Sequence, residues 1–379
     1  MASKPNVIII FADDLGYGDL GCYGSTRNKT PNIDRMAQDG IRLTDFYSAS
    51  PVCSASRAAL MTGCYPNRLG FGPNPVLFPG DPIGLHPDEI TFPRILRENN
   101  YKTKIIGKWH CGDQLPFLPK QHGFEEYYGL PYSNDMGMQG QNPEEKVPLP
   151  LMHNNEVLQQ QPDQRGLTER YTEQAVRFIR KNIYQPFFLY LAHMYVHVPL
   201  FVPSRFMKQS DNGGYGGAVE CIDWVLGVID SELKQAGLFD NTLVIFTSDN
   251  GSRARNEGGS NSPLRSTKAT TWEGGQRVPC IMRWPTKIPA NQVSSELTTM
   301  MDLYPTITKL TKCNITHNKK IDGHDISPII LGSPGATSSY DCFAFYWREN
   351  LEAVRWKNWK LLFAKQETIG RTSNPLNAL

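Results

Sequence analysis

Short apolar runs rich in β-branched residues alternate with amphipathic segments along most of this 379-residue chain. Such alternation is typical of βαβ units, which assemble a mostly parallel sheet covered by helices on both faces. The first run, residues 6–12 (NVIIIFA), is apolar after its first residue, as expected for a strand buried on both sides. We therefore predict an α/β fold with a large, mostly parallel or mixed sheet sandwiched by helices.

Caps and helix-breaking residues set the predicted boundaries. Thr30-Pro31 and Gly40 bound one helix, because proline is favoured at the first helical position and glycine just past the end. Residues 131–165 are rich in Pro, Gln and Asn and lack periodicity, so they predict a long surface loop. The other predicted strands span residues 41–47, 102–107, 187–192 and 242–247, and the other predicted helices span residues 54–62, 92–99, 168–182 and 217–236.

The last part of the chain has a different character from the rest. Aromatic residues cluster in three short segments separated by polar turns, which indicates a small antiparallel sheet. These segments are residues 343–348, 352–356 and 359–363. We predict two units: a catalytic α/β domain over residues 1–335 and a small antiparallel C-terminal subdomain over residues 336–379.

Composition argues against several classes of protein. The 39 basic and 37 acidic residues leave a net charge of +2, which is not the charge pattern of a nucleic-acid-binding protein. The longest apolar runs fall far short of the roughly 18–20 residues that cross a bilayer, so we predict no membrane span. Eight cysteines without CxxC pairs argue against a disulfide scaffold or a zinc ribbon.

The start of the chain leads to an expectation about its location. Only residues 1–6 precede the apolar part of the first strand, which leaves no room for a signal peptide. We therefore expect a cytoplasmic protein. If the sequence is a processed form, the alternatives are a periplasmic, secreted or lysosomal protein.

Acidic side chains follow two of the predicted strands at their carboxyl ends. Asp13 and Asp14 come directly after the first strand, and Asp249 and Asn250 follow the strand of residues 242–247. Open α/β sheets bind ligands in the crevice outside these ends. Three carboxylates and one amide oxygen suit a hard divalent cation, so we expect calcium, with magnesium as the alternative. Taken singly, each segment also fits an ordinary turn.

Residues 53–57 (CSASR) form the most informative motif, with Cys53 at the start of the predicted helix 54–62. The N-terminus of a helix favours negative charge, although an isolated cysteine there would more often be a small buried hydrophobic residue. The accompanying blocks are residues 6–20 (NVIIIFADDLGYGDL), 30–39, 106–110 (IGKWH), 247–251 (TSDNG) and 268–275 (KATTWEGG). Over residues 6–363 the chain resembles the type I, formylglycine-dependent sulfatases, the arylsulfatase family of the alkaline phosphatase superfamily.

The resemblance implies a sulfuric ester hydrolase in which Cys53 is oxidised to formylglycine. In that family the aldehyde hydrates to a geminal diol; one hydroxyl attacks the sulfur of a sulfate ester, and the other expels sulfate as the aldehyde reforms. A thiolate is a good nucleophile, but its sulfate adduct would have no comparable route to release. The implied metal ligands are Asp13, Asp14, Cys53, Asp249 and Asn250.

Three further residues are expected around the nucleophile. Arg57 lies one helical turn after Cys53, so its guanidinium can reach back toward the diol and the carboxylates. The resemblance implies that Lys108 contacts the diol and the sulfate, and that His110 takes the proton from the retained hydroxyl. Lys108 and His110 face the same side if the preceding strand continues through them.

The resemblance assigns the leaving-group side to His197 and Lys268, which would bind sulfate oxygens and protonate the departing alkoxide. His193 lies nearby in the sequence, and only the resemblance distinguishes it from His197. Ser133 matches a hydroxyl that hydrogen-bonds the sulfate region. The implied catalytic residues are Cys53, Arg57, Lys108, His110, His197 and Lys268, and the implied substrate-binding residues are Ser133, Lys108, His197 and Lys268.

Ala55 departs from the commoner motif, which has proline at this position. This variant resembles the form that radical S-adenosylmethionine maturases accept, so we expect such a maturase as a partner and a sulfated saccharide or aryl sulfate as the substrate. Two alternatives remain open at this point. One is a phosphodiester or phosphonate hydrolase of the same superfamily, and the other is a non-catalytic protein that binds anionic glycans with Cys53 unmodified.

Overall fold

The computed structural model describes residues 4–139, 142–315 and 317–363, and it confirms the predicted α/β fold class. Within these residues, one ten-stranded sheet is accompanied by a two-stranded and a three-stranded sheet. The strands are β1 (Asn6–Ala12), β2 (Ile41–Leu43), β3 (Phe46–Tyr47), β4 (Lys102–Gly107), β5 (Glu126–Gly129), β6 (Pro150–His153), β7 (Glu156–Gln160), β8 (Phe187–Ala192), β9 (Thr242–Ser248), β10 (Cys280–Arg283), β11 (Gln292–Ser294), β12 (Thr298–Thr299), β13 (Phe343–Trp347), β14 (Asn350–Trp356) and β15 (Trp359–Leu362). The helices are α1 (Pro31–Gln38), α2 (Cys53–Thr62), α3 (Phe92–Glu98), α4 (Leu167–Lys181), α5 (Ser204–Gln209), α6 (Gly213–Gln235), α7 (Glu273–Gln276), α8 (Leu303–Leu310) and α9 (Ser327–Ile330).

The parallel strands in the middle of the large sheet bring their carboxyl ends to one edge. The strand order is β11-β2-β10-β9-β1-β8-β4-β5-β6-β7, in which β9, β1, β8, β4 and β5 run parallel. The register pairs Ala12 with Ser248 and Gly107 with Ala192. The segments that follow these strands therefore leave the sheet side by side, at the edge where open α/β sheets bind ligands.

Alternate residues of β1 face two separate hydrophobic cores. Val7 and Ile9 belong to the core that includes α2, whereas Ile8 and Ile10 belong to the core that includes α4 and α6. Every residue of β1 is buried. Burial on both faces explains why this run is almost continuously apolar instead of alternating.

The segment of residues 131–165 is not the surface loop that the sequence predicts. It contains β6 and β7, an antiparallel hairpin that extends the edge of the large sheet. Every residue of β7 is exposed, so the strand lacks the apolar alternation that would reveal it. The turn Asn154-Asn155, with Asn154 at φ 57°, is the signal that indicates a hairpin, because two-residue hairpin turns favour left-handed residues such as asparagine.

Two other predicted elements have different bounds. The strand predicted over residues 41–47 is interrupted, because β3 leaves the large sheet and pairs with β12. The helix predicted over residues 217–236 begins earlier, at Gly213. The sequence pattern misses its first turn because the glycines there have a low helix propensity. The other predicted boundaries agree with the structure to within two residues.

The small C-terminal sheet has the predicted antiparallel order β13-β14-β15. Ion pairs and hydrogen bonds fasten it to the rest of the molecule: Lys360 Nζ lies 2.8 Å from Glu273 Oε1, and Thr271 Oγ1 donates to Glu352 Oε2 at 2.7 Å. A domain boundary between residues 335 and 336 stays a prediction. Within the described residues, none of the helices combines the length and the apolar character needed to cross a membrane.

Candidate active site

The carboxyl ends of β1 and β9 bring four oxygen-bearing side chains together. Asp13, Asp14, Asp249 and Asn250 are all buried. Asp14 has a left-handed backbone with φ 62°, which costs an L residue free energy and is typical of functional sites. Its amide N–H donates to Asp249 Oδ1 at 3.0 Å. This bond ties the two strand ends together and holds the carboxylates close to one another.

Cys53 lies in the first turn of α2 and faces these carboxylates. Its Sγ atom is 3.4 Å from Asp13 Oδ1 and 3.9 Å from Asp14 Oδ1. One ligand atom from each of Asp13, Asp14, Cys53 and Asp249 lies within 4.8 Å of the others. Burial, followed by the charge of Asp13, raises the pKa of Cys53 well above its ordinary value. The unmodified thiol therefore stays protonated, and a protonated thiol is a poor nucleophile.

Arg57 is a fixed cation one helical turn after Cys53. Its Nε and Nη2 atoms donate to Asp249 Oδ2 at 3.1 and 2.9 Å, and Nη1 donates to the carbonyl oxygen of Lys108 at 3.0 Å. Nη2 also lies 3.6 Å from Asp13 Oδ1. Although burial disfavours its charge, Asp249 and Asp13 raise the pKa of Arg57. Arg57 therefore reaches the carboxylates, as its helical spacing from Cys53 predicts.

Two lysines, Lys108, which is buried, and Lys268, whose side chain is 14% exposed, complete the charge balance. Lys108 Nζ donates to Asp13 Oδ2 at 2.6 Å and to Ser133 Oγ at 3.1 Å. Lys268 Nζ lies 2.6 Å from Asp14 Oδ1 and 3.4 Å from Cys53 Sγ. Burial disfavours the charge of both lysines, but the neighbouring carboxylates, Asp13 and Asp14 respectively, raise their pKa values. Together with Arg57 they offset three carboxylates.

The donor set fits a hard divalent cation. Asn250 Nδ2 donates to Asp14 Oδ1 at 2.8 Å, whereas the buried Oδ1 of Asn250 has no hydrogen-bond partner among the described residues. Burial and the charge of Asp13 raise the pKa of Asp249 to about 6, so the carboxylates repel one another. A cation bound by these oxygens would satisfy the orphan carbonyl and relieve the repulsion, and an all-oxygen set suits calcium or magnesium.

The structure distinguishes the two histidines that follow β8. His197 Nε2 lies 3.7 Å from Asp14 Oδ2 and Nδ1 lies 2.6 Å from the carbonyl oxygen of Val198. Burial and the charge of Lys268 lower the pKa of His197 to about 4. Both ring nitrogens of His193 are buried without a hydrogen-bond partner in the described part of the chain. Only His197 thus makes a close contact with the charged centre.

Lys108 and His110 reach the site by a different backbone path from the one predicted. β4 ends at Gly107, whose φ is 104°, and His110 has φ 58°, so the strand does not continue through these residues. His110 Nε2 lies 3.0 Å from the carbonyl oxygen of Leu77, and Nδ1 lacks a hydrogen-bond partner among the described residues. Burial and Lys108 hold the pKa of His110 well below its ordinary value. The result is a neutral imidazole.

Asp135 is a residue of this region that sequence reasoning missed. Burial alone would raise its pKa, but His197 and a hydrogen bond from Ser133 lower it overall. Its Oδ1 atom is buried and, among the described residues, has no hydrogen-bond partner. Asp135 therefore lies on the same side of the site as His197. Its position two residues after Ser133 was the only signal that the sequence offered.

Comparison with known proteins gives consistent matches. A family model described as Sulfatase matches residues 5–313. Steryl-sulfatase of Homo sapiens is 36% identical, over 94% of this chain and 74% of its own length. Arylsulfatase A of Homo sapiens is 40% identical, over 88% of this chain and 69% of its own length. The solved structure of PsFucS1 sulfatase from Pseudoalteromonas sp. matches with a TM-score of 0.87 and 32% identity, covering 95% of this chain and 78% of that chain.

Proposed function

Because this chain belongs to the sulfatase family and is a sulfuric ester hydrolase of type I, we propose that it cleaves sulfate esters with a formylglycine made from Cys53, assisted by a divalent cation. The observation that carries this proposal is the cluster in which ligand atoms of Cys53 and three carboxylates lie within 4.8 Å of one another. Arg57, Lys108 and Lys268 surround this cluster. In such a buried setting their charges act strongly on an anionic group.

Asp13, Asp14, Asp249 and Asn250 are the residues that would hold the cation. When bound, a calcium or magnesium ion would supply positive charge beside the nucleophile and the sulfate oxygens. Three side-chain cations already offset the three carboxylates, so the loaded site would carry a net positive charge. This excess is what binding of an anionic sulfate ester needs.

Formylglycine at position 53 would supply, as its hydrate, one hydroxyl for attack on sulfur and a second whose deprotonation releases sulfate. The thiol of Cys53 is a poor substitute, because burial raises its pKa well above the ordinary value. Lys268 Nζ, 3.4 Å from the Sγ atom, would then donate to the group that replaces the sulfur. Arg57 donates to Asp249 Oδ2 at 2.9 Å and so holds this carboxylate beside the group, and its charge opposes the rise in the pKa of Asp249 that burial causes.

The two histidines would move protons on opposite sides of the ester. His110 is held neutral by burial and by the charge of Lys108, so its unused Nδ1 can accept a proton from the retained hydroxyl. His197 keeps Nδ1 engaged with the carbonyl oxygen of Val198 and presents Nε2 to the leaving group. An incoming sulfate adds negative charge beside His197, which favours the protonated form that a general acid requires.

A turnover assay with an aryl sulfate tests this proposal. The chain is produced with and without a co-expressed radical S-adenosylmethionine maturase, alongside a Cys53→Ala variant. We expect turnover with the maturase, much less without it, and none for Cys53→Ala under either condition. Turnover by Cys53→Ala equal to that of the parent chain would overturn the role of position 53.

The same proposal includes a sulfated saccharide as an alternative to the aryl sulfate. Residues 69–86 and 131–165 border the site through Leu77, which contacts His110, and Ser133, which contacts Lys108. Both segments carry polar and aromatic residues suited to sugar hydroxyls. Turnover of defined sulfated saccharides, measured beside the aryl sulfate, identifies which of the two classes is preferred.

A further inference from the structure

The loop that connects Asn250 to Lys268 carries charged side chains that the proposed mechanism does not use. Arg253, Arg255 and Glu257 occupy alternate positions in this loop, and we call these three residues the rim cluster. The carbonyl oxygen of Ser252, just before the cluster, accepts a hydrogen bond from the amide of Lys268 at 3.0 Å. The loop is therefore closed at its base directly beside the catalytic centre.

In an unconstrained surface loop the charged side chains are the exposed ones, whereas the charged side chains of the rim cluster are largely covered. The charged side chains of Arg253 and Glu257 are only 28% and 20% exposed, whereas the intervening Ala254 and Asn256 are exposed. Ala254 and Asn256 also have left-handed backbones, with φ 48° and 56°, a conformation that costs an L residue such as alanine free energy. The backbone thus turns the charged side chains toward the molecule and the small ones toward water, and such strain is typical of functional sites.

The charges of the rim cluster do not cancel. Arg253 Nη2 lies 3.3 Å from Glu257 Oε1. Burial, followed by the charge of Arg253, lowers the pKa of Arg255, whereas the charge of Glu257 opposes this shift. Arg253 is thus paired with Glu257, and the three side chains of the rim cluster carry two positive charges and one negative charge.

The rim cluster also lies within electrostatic range of the catalytic centre. Tyr215 Oη lies 3.5 Å from the carbonyl oxygen of Asp14 and 3.4 Å from Ser252 Oγ, which accepts a hydrogen bond from the amide of Ala254 at 3.1 Å. Burial raises the pKa of Glu257, and the charges that act on it include Asp14 and Lys268 in addition to the two arginines. A substrate whose sulfate ester reaches Lys268 therefore places its neighbouring groups near Arg253 and Arg255.

We propose that the rim cluster is a second oxyanion subsite, which binds a sulfate or carboxylate group on the sugar next to the sulfate ester that is cleaved. This inference rests on the proposed function, because it places that ester at the Cys53 centre. Guanidinium groups bind both oxyanions in a bidentate manner, and Glu257 holds Arg253 in position. The substrate class is then a glycan with at least two acidic groups on adjacent sugars.

Three disaccharides that share one scaffold test the subsite with the matured protein. One carries a single sulfate on a neutral scaffold, one carries a second sulfate on the neighbouring sugar, and one carries a uronate there. The readout is the ratio of kcat/KM for each diacidic probe to that for the neutral probe. Arg253→Gln and Arg255→Gln each remove one positive charge, whereas Arg255→Lys keeps the positive charge at position 255.

Arg97→Gln is the matched charge control, because Arg97 is exposed on α3. That helix leads into the amino end of β4, at the opposite edge of the sheet from the site. We expect the parent protein to prefer at least one diacidic probe, and each glutamine variant to lower that preference about tenfold, which is the size of one charge-assisted contact. Arg255→Lys keeps the charge but not the bidentate contact, so its preference should lie between those of the parent protein and Arg255→Gln, whereas Arg97→Gln should retain all of the preference.

The outcomes separate the subsite from the proposed function. No turnover of the disaccharides or of the aryl sulfate by the matured parent protein would contradict the proposed function itself, whereas turnover of the aryl sulfate alone would overturn the subsite. Turnover without a preference for either diacidic probe, or a preference that both glutamine variants retain, would overturn the subsite. A loss of preference in Arg97→Gln as large as in the rim variants would overturn it too, because the effect would then belong to overall charge. If Arg255→Gln fails to fold, Arg253→Gln provides the same comparison.

Discussion

At the scale of single residues, the catalytic centre is a set of buried charges that depend on one another. Arg57 and Lys108 are 1% and 0% exposed and lie against Asp13 and Asp249. A buried ion pair contributes little net stability, but removal of one partner leaves an uncompensated charge in a medium of low polarity. Such a cluster is better explained by the chemistry of an anionic substrate than by folding.

Arg57→Ala tests this interdependence. The substitution leaves Asp249 without the guanidinium that contacts it at 2.9 Å, so we expect the free energy of unfolding to fall by about 3–5 kcal/mol. Urea denaturation of the apo protein measures the change. Arg68→Ala is the control, because the Arg68–Asp322 pair is 43% exposed on the arginine side and should be worth at most about 1 kcal/mol. Equal losses in the two variants would contradict the account.

Single residues were predictable from the sequence where a spacing rule applied. Asp13, Asp14, Asp249 and Asn250 follow from strand ends, because parallel strands end at a common edge, and Arg57 follows from the helical turn after Cys53. His197 was distinguishable from His193 only through the family resemblance. Asp135 lies in a segment without periodicity, so its approach to His197 depends on tertiary packing that no local pattern reveals.

At the scale of elements, a side chain of one helix caps the N-terminus of another. Thr30 precedes α1 but its side chain makes no capping hydrogen bond. Asp223 of α6 instead accepts from the amides of Asn32 and Ile33 at 2.9 and 2.8 Å. Burial raises the pKa of Asp223 to about 6. The capping carboxylate of α1 therefore titrates at a higher pH in the folded protein than in the unfolded chain.

Asp223→Asn tests the resulting dependence of stability on pH. Because the folded pKa is raised, the unfolded chain loses this proton first as the pH rises from about 4 to about 6, so this group lowers the stability of the parent protein by about 1–3 kcal/mol across that window. The asparagine variant lacks this contribution. Urea denaturation of both proteins at several pH values should show the variant gaining stability relative to the parent as the pH rises. If the difference in the free energy of unfolding between parent and variant is the same at pH 4 and pH 6, Asp223 does not titrate as we expect.

Gly107 ends β4 at the point where the chain turns into the site. A Cβ atom there would lie 1.8 Å from the carbonyl oxygen of Ala192, and its φ is 104°. Gly24 has φ 99° but open space around its Cβ position. We expect Gly24→Ala to lower the stability by the backbone penalty alone, which is about 1–2 kcal/mol. Gly107→Ala should lower the stability clearly more or fail to fold. Thermal unfolding measures both, and equal shifts would show that close packing at Gly107 is unimportant.

Elements were predictable where their apolar pattern was strong. β1, β4, β8 and β9 are buried runs, and the sequence located them to within a residue. The hairpin of β6 and β7 was not predicted because β7 is exposed on both faces and carries no apolar pattern. The first turn of α6 was not predicted because its glycines have low helical propensity. The pairing of β3 with β12 is a long-range contact that neither segment encodes alone.

At the scale of the whole molecule, the proposed cation would join parts of the chain that are far apart in sequence. Its proposed ligands follow β1 and β9, so the bound ion would connect two central strands of the sheet beside the helix that carries Cys53. A ligand that binds only the folded state stabilises it in proportion to its concentration over its dissociation constant. Loss of the ion should therefore weaken the entire catalytic unit.

Metal removal tests this coupling. We expect a chelator to lower the Tm and calcium or magnesium to restore it, with about 2.7 kcal/mol gained at a concentration one hundred times the dissociation constant. Asp14→Asn, which removes one ligand charge, should reduce the shift that added ion produces. A Tm that does not respond to chelator or to added ion would argue against a cation at this site.

The central claim is that residue 53 acts as an aldehyde and not as a thiol. Tandem mass spectrometry of the peptide that contains residue 53, from a preparation active on an aryl sulfate and treated with a hydrazine probe, tests it most directly. We predict that the active preparation contains the hydrazone at position 53, in a fraction that rises in step with specific activity. An active preparation in which residue 53 is entirely unmodified cysteine would contradict the account.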